Sequence, residues 1–411
     1  MPPDPPSTHR ENPPWLFGIL TIPYGTFNGI ITVLIPFLLR NHGVTPDRIA
    51  DVIAISSLPN VWYFLYSPVV DIGLLRRTWI LIAAGTSGLC GAIAIANSSL
   101  SLTALTILLT GGNVISMLLS SACGAVLTTL NPAKRGRASG WYNAGNLGGG
   151  ALGAGAAIGL SGVLPLPILA VLCGLMVFLP ALGALRIVEK RLPSMAVVPR
   201  FRAMGRDVWA VLRSPVTLAG LAFFLSPVGS GAVGNLISSV GPDYHASNAE
   251  VAWVSGVAGG LLSALGCMIG GYLCDRINRM AAYAVAGMLS AIFAVWMAIG
   301  PAVPLTYAGG YTGYALSVGI AYAAFTALEL EVLGPRTHGA GTAYSLLGAS
   351  GNLPIAYMTW LDGVGYKHAG SRGLMGVDAA ANGVCGVLLL IFARYWAGRL
   401  RRQQALDIET K

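Results

Sequence analysis

Asp71 and Asp275 stand 204 residues apart, and each closes an apolar run with arginines just behind it. The first stretch reads Tyr66-Ser-Pro-Val-Val-Asp71-Ile-Gly-Leu-Leu-Arg76-Arg77; the second reads Gly270-Gly-Tyr-Leu-Cys-Asp275-Arg276-Ile-Asn-Arg279. A carboxylate beside guanidinium groups forms charge-assisted hydrogen bonds that lock two elements together and release them when the elements part. Arg135, Glu329, Glu331 and Arg336 lie at matching ends of other apolar runs and are candidate partners for such a gate. Catalytic chemistry has no comparable constellation. The five histidines fall in loops or tails, and no GxSxG, HExxH or GxxxxGK[ST] pattern occurs. The six cysteines lie in or at the ends of apolar runs without CxxC spacing, which makes them small packing residues and implies no metal and no cofactor.

The elements that carry these charges are set by composition. Of 411 residues, 55% are hydrophobic and only 10% charged, against roughly 25% charged in an ordinary soluble domain. So few charges cannot cover a water-facing surface of this size, and the chain is expected in a lipid bilayer. A membrane helix needs about 20 apolar residues. On that basis twelve spans are expected, at 15–39, 48–70, 78–97, 102–129, 136–161 and 164–186, then at 214–240, 250–274, 280–300, 303–330, 338–361 and 373–396. The fold class expected is therefore an all-α integral membrane protein, with two six-helix bundles at 15–186 and 213–397. A basic cytoplasmic linker (187–212), a proline-rich tail (1–14) and a second tail (398–411) complete the chain. The first tail has no signal-peptide character.

The net charge of +9 is a topology signal rather than a nucleic-acid footprint, because the basic residues sit in short loops. Of the 25, 21 fall on one side, and only Arg40, Arg48, Lys367 and Arg372 on the other. The basic side is the cytoplasmic one, so both termini are expected there, in a cytoplasmic (inner) membrane.

The two halves repeat. Pro23 and Pro227 share the 204-residue offset, and Gly145-Asn146-Leu147 recurs as Gly351-Asn352-Leu353. Inverted or parallel repeats of this kind are the mark of carriers. The chain resembles the major facilitator superfamily, whose loop signature between helices two and three, and eight and nine, matches the Asp71 and Asp275 turns. The stretches Pro59-Asn-Val-Trp62-Tyr-Phe-Leu-Tyr66-Ser-Pro68-Val-Val-Asp71 and Gly341-Thr-Ala-Tyr-Ser-Leu-Leu-Gly-Ala-Ser-Gly-Asn-Leu-Pro354 are similar to muropeptide permeases of the AmpG type and acetyl-coenzyme A transporters. That group often carries a lysine where this chain has Tyr63.

The resemblance implies a carrier for a small-molecule substrate, acting as a monomer by alternating access, with helices one, four, seven and ten around a central cavity. The polar residues placed to line it are Tyr24, Asn28, Asn60, Tyr63, Asn113 and Ser116 from the first half. Ser226, Ser230, Asn235, Tyr311, Tyr314, Tyr322, Tyr344 and Asn352 are their counterparts in the second. Rich in amides and tyrosines and poor in charge, the set suits a neutral or amphiphilic solute: a peptide-, sugar- or siderophore-like metabolite taken up, or amphiphilic compounds expelled.

For a coupled proton the sequence offers only Asp51, at a helix start. A rise of about 1.5 Å per residue carries Glu329 and Glu331 to the cytoplasmic edge, and Asp362 to the opposite one. Asp378 is the deepest acid, yet in a span outside the cavity. Prolines 23, 36, 59, 68, 227 and 354 provide kink points. A membrane enzyme, a channel or a non-transporting scaffold fits these features less well.

Overall fold

The computed structural model describes residues 12–44, 46–71, 73–97, 101–189, 223–333 and 340–409. Arg336, the first tail up to residue 11 and the linker from residue 190 lie outside them. Among the described residues there is no strand, and eight stretches are long and apolar enough to span a bilayer. They are Pro14–Leu39, Arg76–Ala96, Leu102–Leu127, Leu166–Arg186, Ala249–Cys274, Arg279–Ile299, Pro304–Leu333 and Tyr344–Arg394.

The first expected span is one rod. Helix α1 (Pro14–Gly29) keeps its helical course through Pro23, then widens into a π turn at Ile30–Leu34 and resumes at Ile35–Asn41. The second expected span is broken. Helix α2 (Pro46–Ser57) is followed by a single turn at Pro59–Trp62 and by 3₁₀ turns at Tyr63–Leu65 and Ser67–Asp71. Prolines 59 and 68 each remove a backbone donor, which explains the interruptions. Helices α3 (Arg76–Ala96), α4 (Leu102–Leu127), α5 (Arg135–Ser161) and α6 (Leu166–Phe178) follow. The Ser101 side chain accepts the Ala104 N–H to start α4, and α6 begins behind Pro165.

In the second half the chain unwinds around Pro227 before α7 (Val233–Val240), with Gly229 at φ +65° and Gly231 at φ +70°. Those left-handed angles suit glycine because it has no Cβ. Pro23 and Pro227 therefore occupy matched sequence positions with different outcomes: an intact helix in one half, a break in the other. Next come α8 (Gly259–Cys274), approached through a π turn at Ala252–Ala258, then α9 (Arg279–Ile299) and α10 (Pro304–Leu333). The last helix, α11 (Ala340–Glu409), bends into two arms at Ala369 and Gly370. The eleventh and twelfth expected spans are these two arms.

Side chains that are apolar and exposed, among them Leu89, Ile107, Val171, Ile292, Leu305, Trp360 and Ile391, stud the outer helix faces. Apolar surface of that extent meets lipid, not water. Inside, aromatic residues such as Phe17, Phe27, Phe223, Phe224 and Tyr307 are fully buried. Helices approach closely where glycines face each other. A Cβ on Gly145 would lie 1.9 Å from the Gly18 carbonyl oxygen, and one on Gly271 would lie 2.6 Å from Gly140 Cα. Small residues at such crossings let backbones touch, the usual basis of helix association in lipid.

Candidate functional site: a cavity between two halves

A cavity of about 1110 Å³ lies between the halves. Helix α1 contributes Tyr24 and Asn28, and the broken second span contributes Asn60 and Tyr63. From the second half come Ser230 at the unwound segment, Asn235 in α7, Tyr311 and Tyr322 in α10, and Tyr344 and Asn352 in α11. The remaining four expected residues point elsewhere. Asn113 is buried and donates its amide to the Ser56 carbonyl (2.8 Å) and to Asn60 Oδ1 (3.0 Å), so it orients a lining residue instead of lining. Ser116 is buried in α4, and the Ser226 hydroxyl turns back to the Phe223 carbonyl (2.7 Å). The Tyr314 hydroxyl donates to Asp378 (3.2 Å), behind the cavity wall.

The repeated Gly-Asn-Leu triplet has a physical meaning in both halves. Gly145 packs on α1 and Gly351 on the Phe325 ring of α10, which leaves Asn146 and Asn352 to face the cavity. The Asn352 amide also reaches across the halves to the Asn60 carbonyl (2.6 Å). Tyr142, Asn143 and Trp253 line the cavity as well and were missed by sequence reasoning. The triplet flanks Tyr142 and Asn143, and that was the available signal.

Glu329 corrects a sequence expectation. Far from being a gate residue at the membrane edge, it is 2% exposed, lines the cavity, and has one carboxylate oxygen with no hydrogen-bond partner among the described residues. It is the one acidic side chain among the described lining residues. Asp51 is exposed and does not line the cavity. Asp362, expected at a boundary, is fully buried.

One end of the cavity is sealed by contacts between the halves. The Asp275 carboxylate accepts the Arg137 backbone N–H (3.1 Å) and its Nε (2.8 Å), so an acid from the second half caps the start of α5 in the first. Negative charge is favourable at a helix N-terminus, where free N–H groups concentrate. Arg135 donates to the Leu330 carbonyl (2.8 Å) and Arg279 to the Pro132 carbonyl (2.9 Å), both across the halves. Ser139 adds a bond to the Ala323 carbonyl (2.8 Å) and Asn143 one to Thr326 (2.9 Å). Helices α5 and α8 touch at Gly140 and Gly271 between these bonds.

The partners differ from those the turn sequence suggested. Arg276 does not serve Asp275; it lies over the Tyr272 ring at 4.0 Å, a cation–π contact. Arg279 pairs with Glu331 (3.2 Å) inside its own half. Asp71 does bind Arg76 (2.9 Å), a local pair in the first half. The backbone N–H groups of Arg76 and Arg77 are capped by Glu189, which the sequence did not single out. Toward the opposite end of the helices Thr32, Val33, Ala249 and Trp253 still line the cavity, so it extends away from the sealed face.

Helices from the two ends of the chain, joined at one face and parted around a polar cavity, are the geometry of one large group of membrane carriers. Residues 17–359 match the profile of the Major Facilitator Superfamily. The chain belongs to that superfamily. The crystal structure of the human organic anion transporter MFSD10 (TETRAN) is similar at TM-score 0.69 and 18% identity over 92% of this chain and 100% of that one. A bacterial homologue of the iron transporter ferroportin, in its outward-facing state, is similar at TM-score 0.64 and 16% identity over 93% and 98%. Identities this low carry the superfamily fold alone. No curated protein sequence matches this chain. As a superfamily member it is a multi-pass membrane transporter and not an enzyme.

Proposed function

We propose that the protein carries a small organic solute, neutral or positively charged, by alternating access through twelve spans. The observation that supports this is the cavity lining: amides, tyrosines and one carboxyl, with no Lys, Arg or His among the described residues. An anionic cargo would find no Lys, Arg or His among the described lining residues to pair with its charge, and an unpaired charge in a desolvated site costs several kcal/mol. MFSD10 is named as an organic anion transporter; the lining here favours other chemistry. Nor do the described residues bring three His, Cys, Asp or Glu together as a metal cargo would need.

The sealed face carries the Asp275 turn and its arginines, and the excess of basic loop residues assigns it to the cytoplasm. In this reading the cavity faces outward, both termini are cytoplasmic, and the monomer sits in the cytoplasmic membrane. Asp275, Arg135, Arg137 and Arg279 form the cytoplasmic gate. Glu329 replaces Asp51 as the cavity group where a coupled proton exchanges, since a carboxyl inside a span is by default functional.

The AmpG-type similarity lies in segments that meet at the cavity, through Asn60 and Tyr63 on one side and Tyr344 and Asn352 on the other. It supports a peptide- or sugar-like metabolite as cargo. Trp253, Phe224 and Phe325 in the lining favour a second reading, efflux of amphiphilic compounds.

The test is a thermal-shift panel on purified protein with size-matched cationic, neutral and anionic solutes, because a ligand that prefers the native state raises its melting temperature. Uptake by proteoliposomes and drug susceptibility of overproducing cells then give direction. Stabilisation by anions alone would overturn the reading.

A further inference from the structure

Two carboxylic acids lie behind the cavity wall, in the hairpin of α11, and the transport reading leaves them unused. Asp362 and Asp378 are both fully buried. The bend at Ala369 and Gly370 folds the two arms so tightly that a Cβ on Gly365 would lie 2.6 Å from the Gly373 carbonyl oxygen and 2.8 Å from Val377 Cγ2. Asp362 sits one turn before Gly365 on the first arm, and Asp378 lies in the turn of the second arm that packs on Gly365. The crossing sets Asp362 on one arm against the turn of the other arm that carries Asp378, and the Asp378 carboxyl meets Tyr314 of α10.

The hydrogen-bonding inventory of the seam is unbalanced. Both oxygens of Asp362 and Oδ2 of Asp378 have no partner among the described residues. Oδ1 of Asp378 accepts the Tyr314 hydroxyl (3.2 Å). Helix α10 supplies no cation here, and α9 carries only Arg279 and Tyr283 as ionisable groups. Arg279 is held by Glu331 and Pro132, and Tyr283 donates to the Val228 carbonyl. Lys367, His368 and Arg372 are exposed at the hairpin tip, with Asp243 beside it, and the His368 ring bonds its own helix at the Val364 carbonyl (2.8 Å). Asp378 lies eight residues beyond the bend, about 12 Å along the arm.

Burying two carboxylates together, with no cation and with the Tyr314 hydroxyl as the one donor among the described residues, costs several kcal/mol per charge. Neighbouring carboxyls that share one buried site titrate as a unit. What the seam lacks is a donor between acceptor oxygens, and the tight crossing at Gly365 and Gly373 favours the smallest one. We propose that Asp362 and Asp378 are a proton-binding pair, separate from Glu329 and the cargo cavity. The pair is wired to the cavity wall by one residue. The Asn382 amide donates to the Asp378 carbonyl (3.1 Å), and its oxygen accepts the Gly229 N–H (2.9 Å) at the unwound segment before α7, where Gly229 lines the cavity. Protonation of the pair is thus felt where the cargo binds.

The experiment labels the full-length protein in lipid nanodiscs with a hydrophobic carbodiimide, across whose C=N bond a protonated carboxyl adds, over a range of pH. Peptide mass spectrometry then locates the adduct. The expected result is an adduct on Asp362 or Asp378 that falls about tenfold for each pH unit above the pair's midpoint. D362N and D378N should each remove that titration, while E329Q leaves it in place. The wild-type result needs no variant to fold, and Y314F checks the geometry by shifting the midpoint without abolishing labelling. Hydrogen exchange of the peptide containing Gly229, corrected for intrinsic rates, should follow the same midpoint and lose that dependence in N382A. Absence of an adduct at either aspartate overturns the proposal. So does protection by sodium ions at constant pH, which would make the seam a metal-cation site. An exchange profile that ignores the midpoint overturns the link to the cavity.

Discussion

Replacing Asp275 with alanine should unlatch the sealed face far more than replacing its partner Arg137. The Asp275 side chain is 10% exposed and the Arg137 side chain 52% exposed, so their ion pair is largely in water. Such a pair contributes at most about 1 kcal/mol. The bond from the Arg137 backbone N–H is different, because it satisfies a free donor at the start of α5 with a mostly buried carboxylate. A charged group at that position adds about 0.3–1 kcal/mol through the helix dipole, and the hydrogen bond itself about 1 kcal/mol. Asp275→Ala loses all of these, roughly 1.5–2.5 kcal/mol, or about 10- to 70-fold in the ratio of sealed to open face. Arg137→Ala keeps the backbone bond and should shift that ratio by less than about fivefold. Native thiols report the change: Cys267 and Cys274, on α8 at the α5 contact, are 0% and 2% exposed. Their labelling by a membrane-impermeant maleimide in inside-out vesicles, located by mass spectrometry, should accelerate by the same factors. Unchanged labelling in Asp275→Ala would refute the reasoning. Equal acceleration by the two substitutions would show that the exposed ion pair, and not the helix cap, holds the face shut.

Other perturbations test the remaining parts. Glu329→Gln should weaken binding of a cationic solute by at least about tenfold, consistent with about 1.5–3 kcal/mol for a charged hydrogen bond, and leave a neutral solute unaffected; isothermal titration with the strongest thermal-shift hits decides. Gly25→Val should lower the melting temperature steeply, because a Cβ there would lie 1.9 Å from the Asn146 carbonyl oxygen and force α1 away from α5. Tyr322→Phe should cost about 1 kcal/mol in denaturant unfolding, since it strips the Ser230 carbonyl of its donor (3.0 Å) in the unwound segment. Glu189→Gln should speed hydrogen exchange at the first turn of α3, whose Arg76 and Arg77 N–H groups it caps.

The sequence alone determined the solvent and the repeat. Apolar runs of span length oblige every backbone group to find its partner within a helix, which placed the stretches Pro14–Leu39, Arg76–Ala96, Leu102–Leu127, Leu166–Arg186, Ala249–Cys274, Arg279–Ile299 and Pro304–Leu333 close to their observed bounds. The Gly-Asn-Leu triplet is legible for the same local reason: a glycine at a crossing turns the next residue toward the space left between helices. The Asp71–Arg76 pair is five residues apart, and short separation made it visible.

What only the tertiary structure decided is which groups meet across the halves and which are covered. Distance along a helix put Glu329 at the membrane edge, but burial depends on neighbours, and the cavity floor beside Tyr63 and Gly348 encloses it. Asp275 found Arg137 instead of its adjacent arginines because the start of α5, 138 residues away, offers unpaired N–H groups. The same holds for Asp362, which is fully buried on the first of the two arms that the bend at Gly370 folds together. Local pattern specifies each rod. The contacts that set the electrostatics of a site arise from how rods cross, and crossing positions depend on residues far apart in the chain.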